Sequence, residues 1–157
     1  MANLVWKYKD ENIANLDDLA RVAGKKPNEI YGFVYAIKFT NGKYYIGKKN
    51  LWYTKELPVL KNGTMRQGHI SFVNHIKEHH KTSFEVVMFE SDWLEYQGSS
   101  KEIANLVPLE KRILELAFSK KRLTYRENYW LFKYDVLENS MFINENIGGR
   151  FFRGSLA

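Results

Sequence analysis

One carboxylate stands out of place. Between residues 120 and 138, Leu123, Trp130, Leu131 and Tyr134 recur at helical spacing, and Glu127 falls inside the apolar stripe they form. A carboxylate on a buried face is costly unless it is paired, hydrogen-bonded or bound to a cation. Two readings account for it. Thr124 with Glu127 three residues on fits a capping box, which requires the helix to begin at Thr124 and not after Ser119. The alternative is a cation ligand. Tyr35 and Tyr45 are the second pair of interest, either hairpin core residues or phenols set to handle a proton or hold a phosphate-bound water. His75 and His79 stand at i, i+4 but lack a third ligand at diagnostic spacing, so a solvated face or a phosphate contact is preferred to a zinc site.

The elements that must position these groups are legible in part. Residues 31–39 are aromatic and β-branched, Asn41-Gly42 follows, and residues 43–47 begin a return strand, which predicts a β-hairpin. A two-residue Asn41-Gly42 loop would pair Tyr45 with Lys38 and turn Tyr35 to the opposite face, so bringing both rings to one site requires a bulge or a longer loop. Leu16, Leu19, Ala20 and Ala23, closed by Gly24, predict a helix over 16–23. Residues 69–80 predict a short helix, 83–89 a strand, the stretch from Gly98 to Leu106 a weak helix stopped by Pro108, and 112–117 another strand. The last helix is expected over 120–138.

Composition bounds the function. With 157 residues, 45% hydrophobic and 27% charged, the chain can build one ordinary core and is not disordered. No apolar run is long enough to span a membrane, and the absence of cysteine excludes disulfides, thiolate metal sites and cysteine nucleophiles. Neither a phosphate-binding glycine loop nor a serine–histidine signature occurs. The N-terminal residues contain no apolar signal core, so an intracellular protein, in the cytoplasm of a bacterial or phage-infected cell, is expected. The net charge of +6 is unevenly spread: residues 31–81 hold 9 basic and 2 acidic side chains, residues 82–110 hold 1 and 6, and residues 111–157 hold 9 and 5. Basic blocks separated by an acidic one suggest a surface that faces a polyanion.

Together these pieces resemble one family. Val34-Tyr35, then Tyr45-Ile46-Gly47 ten residues on, is similar to the paired signature of the GIY-YIG endonucleases. Arg126-Glu127-Asn128-Tyr129-Trp130 resembles the helix bearing that family's metal-binding glutamate. Phe142-Ile143-Asn144 with Gly148-Gly149 resembles its closing asparagine and glycine pair. The resemblance spans roughly residues 31–150. It implies that Tyr45 activates or orients the attacking water with support from Tyr35, that Glu127 holds one Mg²⁺ or Mn²⁺ ion, and that Asn144 steadies the site. The first triplet departs from the pattern with Phe33 where glycine is usual. The family's arginine is also missing from its expected place; Lys48, Arg66 and Lys101 are candidates to replace it, and Lys48 is preferred because it follows Gly47 directly.

The resulting expectation is an α/β (α+β) domain on a small, mainly antiparallel three-stranded sheet flanked by helices. Residues 1–30 would form an N-terminal helical extension and 31–157 the nuclease-like domain, with an insertion at about 48–98. The activity implied is metal-dependent cleavage of double-stranded DNA by a monomer or homodimer, with no membrane partner. The chain is more similar to free-standing, phage-type homing endonucleases than to other members. It leaves no room for a separate DNA-binding domain, so specificity would come from the insertion, from dimerisation, or be low. The alternative is a catalytically impaired nucleic-acid-binding module on the same scaffold. Lys49, Lys55 and Arg66 are expected on the phosphate backbone. Neutralising all three should weaken binding to unrelated duplexes alike and flatten log affinity against log salt by roughly 0.9 for each phosphate no longer neutralised; an unchanged slope would remove them from the interface.

Overall fold

The computed structural model describes residues 4–58, 75–79 and 82–156. In chain order the elements are β1 (Trp6–Tyr8), β2 (Glu11–Ile13), α1 (Leu16–Ala23), β3 (Gly32–Phe39), β4 (Tyr44–Asn50), β5 (Trp52–Pro58), β6 (His75–His79), β7 (Thr82–Glu90), β8 (Pro108–Ala117), α2 (Lys120–Lys133), β9 (Asn146–Ile147) and β10 (Phe151–Phe152). They divide into two compact units, Met1–Lys49 with Leu94–Ala157, and Asn50–Trp93. Among the described residues no helix is long and apolar enough to cross a membrane.

The larger unit is a mixed α/β structure on a five-stranded sheet ordered β2-β1-β8-β3-β4. Two strands beyond the expected three come from the segment read as a helical extension. Lys9 and Asp10 both take positive φ (49° and 64°), the geometry of a two-residue hairpin loop, and β1 returns as β2 with Tyr8 opposite Glu11. Trp6 is then fully buried, its ring 5.0 Å from Phe33 and 5.6 Å from Tyr35. β1 runs parallel to β8, while β8 and β3 are antiparallel. The helix read at 16–23 is α1, capped by the Asn15 side chain, which accepts from the Asp18 N–H, and by Gly24 at φ 66°.

The hairpin β3–β4 turns differently from the two-residue reading. Phe39 N–H donates to Lys43 O and Gly42 N–H to Phe39 O, both at 2.9 Å, so the loop is Thr40-Asn41-Gly42 with Gly42 at φ 83°. Asn41 Oδ1 fastens it by accepting from the Lys43 N–H at 2.9 Å. Adding one loop residue moves the register by one: Phe39 faces Lys43, which carries Tyr45 opposite Ile37 and Gly47 opposite Tyr35. Tyr35 and Tyr45 therefore share a face, with ring centroids 6.5 Å apart.

α2 starts where Ser119 Oγ accepts from the Arg122 N–H, and it ends at Lys133 rather than Glu138. Asp135, at φ 49°, takes the left-handed position that closes a helix. The helix docks on the sheet through Val34, Ile46, Ala117, Leu123 and Leu131, with Val136 and Ile147 completing the core. A half-buried fork sets its rotation: Arg126 donates to both oxygens of Glu115 on β8, at 2.7 and 2.8 Å. The expected stripe is narrower than its pattern, because Tyr134 is exposed. Pro108 opens β8 instead of stopping a helix, and the helix before it shrinks to one 3₁₀ turn, Lys101–Ile103, with Ser100 as its cap.

The smaller unit is an antiparallel sheet ordered β5-β7-β6. The helix expected over 69–80 is strand at His75–His79, and its other residues lie outside those described. Extended backbone sets residues four apart roughly 13 Å from one another, too far to share an ion through the helical i, i+4 geometry.

A Cβ on Gly47 would lie 2.5 Å from the hydroxyl oxygen and 2.7 Å from Cζ of Tyr35, whose ring is buried and cannot swing aside. Gly47→Ala is expected to lower stability by about 1–3 kcal/mol, read from a denaturation midpoint. An unshifted midpoint would mean that the Tyr35–Gly47 approach does not constrain the strand pair.

Candidate active site

β4 is the edge of its sheet, with polar backbone groups that need partners. The chain after α2 supplies them. Tyr44 N–H donates to Met141 O and Ile143 N–H to Tyr44 O, both at 2.8 Å. Asn144 then continues the pairing with its side chain: Oδ1 accepts from the Ile46 N–H at 3.1 Å and Nδ2 donates to Ile46 O at 2.8 Å. Its carboxamide is buried and imitates a peptide of a neighbouring strand. Arg153 holds this segment in turn, donating to the carbonyls of Val136, Phe142 and Asn144.

The pinned edge opens on a cavity of about 310 Å³ whose lining includes Tyr45, Ser100, Glu102, Glu127, Asn144 and Gly148. Glu127 reaches it because α2 begins at Lys120, which puts Thr124 inside the helix and removes the capping-box reading. Thr124 Oγ1 instead accepts from Lys48 Nζ at 2.8 Å, which brings that ammonium into the field of Glu127. Burial raises the Glu127 carboxyl above its usual value, and the Lys48 charge pulls it back only in part. Tyr45 is also raised, first by burial; its hydrogen bond with Ser100 opposes this, while the carboxylates of Glu102 and Glu127 add to it. The phenol of Tyr45 is thus held neutral near pH 7. Tyr35 lies beneath the cavity, raised chiefly by burial and then by Tyr96, to which it is hydrogen-bonded. It can position the layer above it, but the residue is only 2% exposed and Gly47 covers its hydroxyl.

The structure thus brings Tyr45, Glu127 and Asn144 to one cavity, with Lys48 beside it and Tyr35 below. Lys49 Nζ lies 4.1 Å over the Tyr96 ring. Lys55 belongs to the smaller unit, its Nζ 5.8 Å from the Tyr53 ring and 5.9 Å from Phe89. Arg66 lies outside the described residues, and Lys101 sits exposed in the 3₁₀ turn. Sequence reasoning missed Tyr96, Ser100, Glu102 and Arg153. Ser100 and Glu102 fall in the stretch read as a weak helix and Tyr96 just before it; that approach is held by Lys111, a fully buried lysine whose Nζ donates to the carbonyls of Leu94 (2.9 Å) and Tyr96 (3.0 Å). The strand is expected only from residue 112, whereas β8 runs Pro108–Ala117, so Lys111 falls outside the pattern that could have drawn notice to it.

Among the described residues no three His, Cys, Asp or Glu side chains cluster as a metal cage. The cavity's potential donors are oxygens, from the carboxylates and the phenol, which suits a hard cation such as Mg²⁺ that takes one carboxylate from the protein and further oxygens from substrate.

A family model described as "Putative endonuclease segE, GIY-YIG domain" matches residues 18–147. No curated protein and no solved structure gives a significant match. The matched span takes in Tyr45, Ser100, Glu102, Glu127 and Asn144, and it excludes β1, β2, Gly148 and Arg153.

Burial of Glu127 has a thermodynamic signature. Its folded pKa lies above the unfolded 4.5, so the native state binds more protons and stability falls as pH rises from about 4.5 through the folded value. In EDTA, Glu127→Gln should therefore melt higher than wild type at pH 7, and the gain should vanish below pH 4.5. A gain independent of pH, or a loss at pH 7, would show that the carboxylate is not desolvated.

Proposed function

Because the chain belongs to the GIY-YIG endonuclease family, we propose that it hydrolyses DNA phosphodiester bonds with one divalent cation, Mg²⁺ or Mn²⁺, held by Glu127. The observation that carries this reading is the shared cavity: the one carboxylate out of place on α2 and the hydroxyl of Tyr45 face the same space at the edge of β4. When bound, the cation would supply Lewis-acid stabilisation of charge on the phosphate and the leaving oxygen.

The protein's own groups divide the remaining work. Tyr45, held neutral, orients the attacking water through its hydroxyl rather than acting as a standing phenolate base. Tyr35 and Gly47 fix the plane of that strand pair from below. Asn144 acts on the Ile46 backbone, which sets Tyr45, and its carboxamide is already committed there. Lys48 takes the place of the family's arginine: its ammonium lies on the Glu127 side and can swing from Thr124 Oγ1 to a phosphate oxygen as a point charge. The substrate is read as double-stranded DNA and the enzyme as homing-type, with the unit Asn50–Trp93 as the element available for choosing a site.

Plasmid cleavage with Mg²⁺ and with EDTA tests this. Glu127→Gln is expected to abolish cutting while the protein stays folded. Tyr45→Phe should lower turnover by roughly 10²–10⁴ with duplex affinity unchanged. Wild-type rates in the Gln variant would remove the metal role, and a Tyr45→Phe rate within about twofold would make that residue packing only.

A further inference from the structure

The outward face of α2 carries a second surface. Tyr125, Tyr129 and Phe132 recur at i, i+4 and i+7, so they share one face, with Tyr125 61% and Phe132 51% exposed. Together with Lys133 they line a groove of about 560 Å³. The aromatic surface continues beyond the helix, because Phe151 on β10 meets Phe132 edge to face at 5.7 Å and is itself exposed. Cations are interleaved with the rings: Arg122 lies 5.6 Å over Tyr125, and Lys133 lies 5.7 Å from Tyr129.

The charge pattern works against the helix that bears it. α1 follows the macrodipole, with Asp17 and Asp18 in its first turn and Arg21 in its last. α2 has no acid in its first turn, which holds Lys120, Lys121 and Arg122. Along its whole length Glu127 is the lone carboxylate against five cations, and Glu127 faces the cavity. Cations at a helix N-terminus weaken the helix, so this face is set for an anion that arrives from outside. A second copy of the chain is the poorer occupant, since symmetric pairing would set Lys121, Arg122 and Lys133 against their own counterparts.

We propose that this face of α2 binds an unpaired segment of the nucleic-acid substrate, its bases stacked on Tyr125 and Phe132 and its phosphates met by Lys121, Arg122 and Lys133. Paired bases hide their ring faces inside the duplex, whereas unpaired bases offer them to exposed side chains. The surface rests on the nuclease reading for its class of polymer. It adds to that reading a track for a frayed or displaced strand on the outward face of the helix that carries Glu127. Arg126 is not part of it, because its guanidinium is committed to Glu115.

The test is fluorescence anisotropy in EDTA with a labelled single-stranded oligonucleotide that cannot self-pair and with the matching duplex. Tyr125→Ala with Phe132→Ala should weaken single-strand binding by about tenfold or more, and duplex binding by much less. Tyr125→Phe with Phe132→Tyr, which keeps both rings, should stay within about twofold of wild type. Thermal melts confirm that both variants fold; if the alanine pair does not, the single variants are used. Equal losses for strand and duplex, or none, would overturn the proposal. So would sedimentation showing a wild-type dimer that the alanine pair dissociates. Plasmid cleavage by wild type with Mg²⁺ separates the two ideas. Ring-dependent strand binding without cutting sinks the cleavage reading alone, whereas cutting with ring-independent strand binding sinks the track alone.

Discussion

The site depends on one pair of hydrogen bonds, those between the Asn144 carboxamide and the Ile46 peptide. Tyr45 lies beside Ile46 on the sheet edge, where strands are least constrained. Each bond contributes about 0.5–1.5 kcal/mol net, but leaving the buried Ile46 groups unpaired would cost about 1–3 kcal/mol each. That asymmetry is what holds the edge in one place. The carbonyls gathered by Arg153 keep the Asn144 segment from relaxing away, so a residue beyond the family match supports a group inside it.

From this constraint the electrostatics follow. Closing the edge shelters the cavity, and shelter raises both Glu127 and Tyr45. The free protein therefore carries a carboxylate short of a counter-ion and a phenol that keeps its proton. Both are poor arrangements for stability and suitable ones for a cation and a phosphate. The half-buried Arg126–Glu115 fork is the counterpart: a paired charge that fixes the helix so that the next residue along, Glu127, can face the cavity.

Local signals in the sequence carried far where they acted locally. Ser119 marked the start of α2, and Gly24 the end of α1, because caps satisfy backbone groups within a few residues. The hairpin was legible, but its loop length was not: Asn41-Gly42 suits a two-residue turn, and the three-residue loop wins by adding the Asn41 bond and placing Tyr35 against Gly47. Conversely, Lys9-Asp10 makes a two-residue turn without glycine because burial of Trp6 rewards it. What could not be read were partnerships across the chain. Asn144 and Ile46 are 98 residues apart, and the loop bearing Tyr96 is ordered by a lysine on β8. The family resemblance supplied Tyr45, Glu127 and Asn144 together; only the fold shows that Asn144 acts on backbone.

The central claim is that Glu127 and Tyr45 form one cation-binding cavity at the edge of β4. Titrating Mn²⁺ into isotopically labelled protein tests it directly, since the paramagnetic ion erases the amide signals nearest to it. The account predicts that signals of Tyr45, Glu127, Gly148 and Gly149 disappear first, that those of Leu19 and Ile13 persist, and that Glu127→Gln abolishes the selectivity. First losses elsewhere in the chain, or an identical pattern in the Gln variant, would contradict it.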